Sequence, residues 1–441
     1  MKSKCPPVDK RVSVDHPIGV RCVELTQPLA PLMDVQSYSH VRVYVARNGS
    51  PFGWVQITNQ FQPLSVTDLA QAIAQKFGSD SLAPVASAPT ESLAPDVSVS
   101  IIVATCDRPT DLRSCLRQLT TQATQRPVEI IVVDNRPDSG LSAPVVADFP
   151  QVTLVNEPRA GVSYARNAGI SQSHGEIIVS IDDDVVVAPD WLEKLVAPFS
   201  RSEVMGVTGN VLPLELETPA QQLFEIYGNG GLSRGFEPFE VDRDWLLSSR
   251  LVAPVWELGG TANAAFRACV FSDPKIGLME ETLGPGMPSG VGEDIYLFYK
   301  ILLAGHTMVY QASACVWHRH RRTLPELRRQ LYNYSKGVIS YHLTTLLRDR
   351  DFRLLHSLLI FLPIYHIKQV VWFLIGQSAY PASLVWVEVL GHLAGPWSLW
   401  RSHQRVQSLG RSASYVDPAQ RLTHNSTFPV AQAKSSSLSL R

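Results

Sequence analysis

Three consecutive carboxylates, Asp182-Asp183-Asp184, follow directly on the apolar run Ile177-Ile178-Val179-Ser180-Ile181. A buried strand that ends in three like charges cannot simply be packed away, because repulsion and lost hydration both oppose their ionisation. Residues i and i+2 of an extended chain point to one side, so Asp182 and Asp184 can converge while Asp183 turns away. Two convergent carboxylates suit a hard divalent cation, Mg²⁺ or Mn²⁺, of the kind also held by phosphate oxygens. The plainer alternative is a solvated acidic loop capping a helix over 189–195.

The segments around this cluster set its context. Near-continuous apolar runs at 97–105, 128–133, 152–155 and 176–181 alternate with helical spacing at 112–119 and 161–171. This pattern predicts an α/β fold, a mostly parallel sheet with helices on both faces. Ligands of such sheets lie beyond the carboxyl ends of the strands, where Thr105, Asp107, Asp134 and Asn135 should meet the acidic cluster. Asp134 can accept from a base N–H or a ribose hydroxyl, or serve only as a strand-end turn. The first strand runs into Ala104-Thr105-Cys106-Asp107-Arg108-Pro109, without the glycines of a dinucleotide fingerprint, and there is no P-loop lysine motif. Nucleotide phosphates would then need a metal and side chains. Arg166 is one candidate, its alternative being a salt bridge to a nearby aspartate.

A second acidic pair, Glu293-Asp294, opens an apolar-periodic helix over 293–303. Carboxylates favour helix N-termini on electrostatic grounds alone. The glycines before the pair predict a mobile loop over 284–292, which would cover the site and make one carboxylate available as a general base.

With 441 residues, the chain has room for two or three domains. Its 39 basic and 40 acidic side chains leave a net charge of −1, which gives no support for a nucleic-acid partner. Six scattered cysteines without a CxxC predict a reducing compartment. The start, MKSKCPPVDKRVSVDHP, is charged with no apolar run behind it, so no cleaved secretion signal is expected. The expected organisation is an accessory β-rich module over 1–77, containing a hairpin over 41–57 and a short helix over 69–77. A Ser/Ala/Pro linker over 78–96, a catalytic-type core over 97–322, a helical, membrane-associated region over 323–410 and a disordered tail over 411–441 follow.

The stretch 354–375, LLHSLLIFLPIYHIKQVVWFLI, is long enough to cross a bilayer. His356, His366, Lys368, Gln369 and Pro363 argue against a span. The expectation is two shorter apolar helices at a membrane surface, with Lys368 snorkelling and Arg319, Arg321, Arg322, Arg328 and Arg329 near anionic heads. A packing arm, a dimer interface and a true span are the alternatives. The expected location is the cytoplasm, at the cytoplasmic face of the membrane.

The ordered set VSIIVATCDRP, EIIVVDN, NEPRAGVSYARNAG, HGEIIVSIDDD, PDWLEKLV, GGTANAAFR and GEDIYLFYKILLAGH covers residues 99–306. In this set the chain resembles family 2 glycosyltransferases of the GT-A fold, inverting enzymes that use nucleotide-diphosphate sugars. The resemblance implies that Thr105 and Asp134 hold the nucleoside and that Arg166 contacts the nucleotide. It places Asp182 near the ribose, counts Asp183 with the donor-binding residues and puts Asp184 on the metal. Asp294 becomes the catalytic base, and 259–267 lies near donor sugar and acceptor. His318 corresponds to a histidine near metal or diphosphate; His320 is its rival, and a basic interfacial cluster is the structural alternative. No QxxRW element follows, which disfavours processive chain synthesis.

The implied cofactor is Mn²⁺ or Mg²⁺, and the donor is a nucleotide-diphosphate sugar. UDP is favoured; Asp134 suits a uracil or thymine imide N–H but also a guanine edge, so dTDP and GDP stay open. The acceptor would be a hydroxylated glycan, a lipid-linked saccharide or a small molecule, as in cell-surface glycan or glycolipid synthesis. Two other classes remain: a noncatalytic nucleotide-sugar or glycan-binding scaffold, and a glycoside hydrolase, whose two carboxylates are spaced for attack by water.

Overall fold

The computed structural model describes residues 16–82, 92–226, 231–248, 251–375, 381–416 and 418. The first module is a three-stranded sheet, β1 (Ile18–Glu24), β2 (His40–Arg47) and β3 (Ser50–Thr58), in the order β1-β2-β3. The hairpin between β2 and β3 turns at Asn48-Gly49, both at positive φ, the backbone an Asn-Gly turn favours. β1, which sequence patterning did not pick out, pairs in parallel with β2. The helix Val66–Phe77 opens with a Ser65/Asp68 capping box and packs Leu69 and Ile73 against Val41, Val43 and Val45.

The large sheet contains β4 (Val99–Thr105), β5 (Val128–Asp134), β6 (Val152–Asn156), β7 (Ile177–Asp182), β8 (Val185–Val187), β9 (Val204–Pro213), β10 (Phe239–Val241), β11 (Asn263–Arg267) and β12 (Thr307–His318). Its order is β10-β12-β9-β11-β7-β4-β5-β6, with β8 on β12. The expected parallel arrangement holds across β7-β4-β5-β6. Beyond β7 the sheet is mixed: β11 pairs antiparallel with both β7 and β9, and β9 is parallel to β12. Alternate residues of β4 and β5 enter different cores. Ile101, Val103, Ile130 and Val132 pack on one face, and Ile102, Ile131 and Val133 on the other. Burial on both faces is why these strands read as unbroken apolar runs.

Buried Asn263 fastens the mixed half. Its Nδ2 donates to the carbonyls of Asn210 on β9 (3.0 Å) and Ala314 on β12 (2.8 Å), and its Oδ1 accepts from Trp191 Nε1 (3.0 Å).

The C-terminal region is helical. A long helix, Leu324–Asp349, starts with a Thr323/Glu326 capping box, and its Leu327 and Leu331 meet Ala220, Leu223 and Phe224 of the core. The helix Ala382–Leu409 packs along it through small residues. A Cβ on Gly391 would lie 2.7 Å from the Tyr332 carbonyl, and one on Gly395 would collide with Ile339.

Between these two helices the chain runs through Arg353–His356, a wide π turn at Ser357–Phe361 and the helix Leu362–Leu374. Two separate helices around Pro363 were expected; instead the helical path is continuous. The widened turn just before Pro363 accommodates a ring that would clash with a regular preceding turn. Of the tail over 411–441, residues 411–416 are placed, with Tyr415 buried and edge-on to Phe271 at 6.2 Å. Apart from position 418, the remainder of the expected disordered tail lies outside the described residues, as does 83–91 of the expected linker.

Candidate functional site

The carboxyl ends of β4, β5 and β7 lie side by side. Thr105 is in register with Asp134, and Ala104 with Asp182. Asp134 is buried, and its Oδ1 accepts from the Arg136 backbone N–H at 2.9 Å. Asn135 closes the rim by donating its side-chain amide to the carbonyls of Glu157 and Arg159.

Within the acidic triplet the strand geometry separates the roles. One donor atom each from Asp182, Asp184 and His318 lies within 4.8 Å of the others. Asp183 turns inward, its oxygens taken by the Thr105 hydroxyl at 2.7 Å and Arg108 Nη1 at 3.1 Å. The sequence reading had counted Thr105 and Asp183 with the donor-binding residues; here their side chains are bonded to each other and brace the turn. Burial pushes the Asp183 carboxyl up to about 7, with Arg108 and Thr105 pulling the other way and Asp184 adding to the rise. Burial also acts to raise Asp184, but His318, Arg108 and Arg321 outweigh it and hold that carboxyl below its ordinary range.

His318 sits at the end of β12, where it pairs in register with Val185 just after the triplet. Its Nε2 is 3.2 Å from Asp184 Oδ1. Burial works against the imidazolium, yet Asp184 raises the His318 pKa above its ordinary value. The rival, His320, is directed elsewhere: its Nε2 lies 3.0 Å from Glu225 Oε1 and its ring is edge-on to Phe224. Glu225 also accepts from Arg42 of β2 at 2.6 Å, so His320 belongs to a buried cluster joining the first module to the core.

Arg166 was expected to face phosphates. It is buried, with Nη1 donating to Glu293 Oε1 and Nη2 to Asp182 Oδ1, both at 2.9 Å. It therefore clamps the two acidic motifs together across the site, which is the salt-bridge alternative with a second partner added. Glu293 is buried, and burial together with Asp294 pushes its carboxyl up to about 7. Asp294 is partly exposed, its Oδ1 accepts from the Ile295 N–H at 2.8 Å, and a Cβ on Gly260 would lie 2.9 Å from its Oδ2. Burial raises its pKa, against the pull of the Ile295 N–H and Arg166. A carboxylate with a raised pKa beside a glycine-lined approach has the properties of a general base.

The glycine-containing loop before this helix is not free. Ser289 donates its N–H to Ser402 Oγ and its hydroxyl to the Thr282 carbonyl, and Lys336 Nζ donates to the Pro288 carbonyl. Gly290, at φ +88°, lies so close to the long helix that a Cβ would collide with the Asn333 carbonyl. The expected mobile cover over 284–292 is thus a packed segment, in which this glycine serves close helix approach.

Two cations near the triplet were missed by the sequence reading. Arg108 Nη1 donates to Asp184 Oδ2 at 2.6 Å, and Arg321 Nη1 is 3.8 Å from the same oxygen. Arg108 follows the first strand tip by three residues, and that spacing was the available signal. The region 259–267 divides into a turn beside Asp294 and the central strand β11.

The donor set fits a divalent cation: two carboxylates and an imidazole, with buried His318 Nδ1 lacking a hydrogen-bond partner among the described residues.

Residues 100–240 match the model of the family "Glycosyl transferase family 2". Glycosyltransferase AglE of Haloferax volcanii is 31% identical over 119 residues, 26% of this chain and 39% of the relative. The glucosyl-dolichyl phosphate glucuronosyltransferase of the same organism is 29% identical over 121 residues, 26% of this chain and 38% of the relative. The pre-mycofactocin glycosyltransferase of Mycobacterium tuberculosis is 26% identical over 236 residues, 52% of this chain and 45% of the relative. In each case this chain spans less than half of the relative's length. Among solved structures, mannosyltransferase PcManGT from Pyrobaculum calidifontis, in complex with GDP-Man and Mn²⁺, aligns with a TM-score of 0.41 and 17% identity over 77% of this chain and 83% of that one. The stretch that matches the glycosyl transferase family 2 model, residues 100–240, lies in a mixed α/β sheet with flanking helices, followed by a helical C-terminal region.

Proposed function

We propose that this protein transfers a sugar, with inversion, from a nucleotide-diphosphate sugar to an acceptor hydroxyl. The observation that carries the reading is the Arg166 clamp, which holds the Asp182/Asp184/His318 donor set beside the Glu293-Asp294 pair. In this reading Asp294 accepts the proton of the attacking hydroxyl. Thr105 and Asp134, at the rim of β4 and β5, flank the nucleoside, and Asp182 stands nearest the ribose. Asp184 and His318, with Asp182, would hold Mn²⁺ or Mg²⁺, which when bound offsets charge on the leaving diphosphate. Arg321, at the edge of the site, supplies further positive charge for that diphosphate. The donor base we favour is uracil, and transfer is nonprocessive. The glucuronosyltransferase relative supports a lipid-linked acceptor.

The test incubates the full chain and Mn²⁺ with a panel of nucleotide sugars, with and without polyprenyl-phosphate or alkyl-glycoside acceptors, and measures nucleoside diphosphate release and product. Acceptor-dependent release with an inverted product supports the proposal. Donor hydrolysis that acceptor does not redirect would make the site hydrolytic. Donor binding with neither release nor product would make it a binding scaffold.

A further inference from the structure

We propose that the C-terminal helices seat on the surface of an anionic lipid bilayer, with an outward apolar stripe in the acyl layer. The helical run Arg353–Trp372 is long and apolar enough to cross a membrane, and only 6% of its apolar window is buried in the protein. Its inward side carries Ser357, Tyr365, His366 and Gln369, half-buried, whereas Leu359, Phe361 and Ile367 stand exposed. His366 Nε2 lies 2.9 Å from His392 Nδ1, so one of the polar groups that argued against membrane contact is turned toward the neighbouring helix, while His356 stays exposed. Lys368 remains on the outward side, with a stem long enough to carry its charge to the headgroups.

The helix Ala382–Leu409 also leaves an apolar stripe on its outer side. Its small residues Gly391, Gly395, Ser398 and Ser402 are buried, while Trp386, Leu390, Leu393, Trp397 and Trp400 are exposed at alternating spacings of four and three residues. Trp397 and Trp400 stack at 4.5 Å, an amphipathic aromatic pair of the kind that favours the headgroup boundary. Both helices remain attached to the protein, which assigns them a seat on one leaflet rather than a crossing. Charge selects the occupant. Residues 324–410 contain nine Lys and Arg against four Asp and Glu, and one of the four, Glu388, is buried. Arg348 and Arg353 are paired with Glu280 and Asp351, and the region as a whole keeps an excess of positive charge, which disfavours a second copy of itself and attracts anionic lipid. Ser402 of the same helix bonds the loop that precedes Asp294, so this seat orients the site relative to the bilayer.

The test sediments lipid-free full-length protein with vesicles of phosphatidylcholine alone or of phosphatidylcholine with phosphatidylglycerol, with no nucleotide sugar present. Its outcome is therefore independent of the sugar-transfer reading. Wild type should sediment with the anionic vesicles, more weakly with the neutral ones, and remain bound in part at high salt. The double variant Leu359→Glu/Leu393→Glu changes side chains that are 71% and 73% exposed, so it should keep the wild-type melting temperature. It should lose about ten-fold or more of the vesicle affinity. Wild type left in the supernatant with both vesicle types, or a folded double variant that binds as wild type does, overturns the proposal. A variant that melts early is replaced by Leu359→Ser/Leu393→Ser, read the same way. Sedimentation equilibrium provides a second arm: a lipid-free dimer abolished by the double variant would assign the face to a second copy and also overturn the proposal.

Discussion

Arg108 Nη1 lies 2.6 Å from Asp184 Oδ2, on the carboxylate that also faces His318. A guanidinium thus neutralises the same group that would bind a divalent cation, and the two positive charges compete for one carboxylate. Arg108→Ala should lower the metal-free melting temperature, because it leaves buried Asp183 and Asp184 short of a counter-charge. With the Arg108 side chain 32% exposed, a cost of about 1–2 kcal/mol is expected rather than the full penalty of a broken buried pair. Mn²⁺ should then raise the melting temperature more in the variant than in wild type. Equal Mn²⁺ responses in thermal melts would show that Arg108 does not share the cation's position.

Asp294→Asn keeps the shape of the side chain but removes its ability to take a proton. Turnover should fall about 10²-fold or more with donor affinity retained. The pH profile offers a separate check. Burial raises the Asp294 pKa above its ordinary 3.8, and the unprotonated form is the one that acts. Activity should therefore fall as pH drops through a limb lying higher than an ordinary aspartate would give. Unchanged turnover in the variant, measured by nucleoside diphosphate release, would remove Asp294 from the reaction. Loss confined to Glu293→Gln would move the base by one residue.

Gly290→Ala tests whether the loop before Asp294 is packed or hinged. The new Cβ meets the Asn333 carbonyl at a backbone φ of +88°. A destabilisation of about 2–4 kcal/mol is expected, seen as a lower denaturant midpoint. A variant as stable as wild type would show that the loop can leave the long helix at little cost.

Arg42→Met interrupts the buried bridge from β2 to Glu225, which His320 also faces. Leaving Glu225 without its arginine should cost about 3–5 kcal/mol. Arg42→Met combined with Glu225→Leu should recover much of that loss in the same chemical denaturation series. No recovery would assign the cost to packing around Arg42 rather than to the stranded charge.

The chain announced much of the donor-side half in advance. β4, β5 and β7 are buried on both faces, so their apolar runs and polar ends were legible without knowing any partner. The convergence of Asp182 and Asp184 followed from the two-residue period of an extended chain. Less was legible beyond β7. β8 and β10 are three residues each and β11 five; such strands are defined by the neighbours they bond, and no local period marks them. Within the helical region over 323–410, the extent of the long helix Leu324–Asp349 was not legible, because its later buried face includes Ser340, His342, Thr344 and Thr345. Their burial depends on helices joined to it from far along the chain.

The division between sequence and tertiary structure is clearest at the site itself. Residue type and spacing determined that strand tips would present Thr105, Asp134 and an acidic triplet at one rim, and that Glu293-Asp294 would open a helix. They did not determine what each charge would face. Arg166 reaches Asp182 and Glu293, residues 16 and 127 positions away, and Arg108 reaches Asp184 across 76. His318 rather than His320 arrives at the triplet because β12 ends at His318, paired there with Val185, and past the strand end the chain delivers His320 to Glu225. The glycines of 284–292 read as hinge residues until the long helix packed against Gly290. A side chain's chemistry is local, but its counter-charge and desolvation come from segments that only the folded chain brings together.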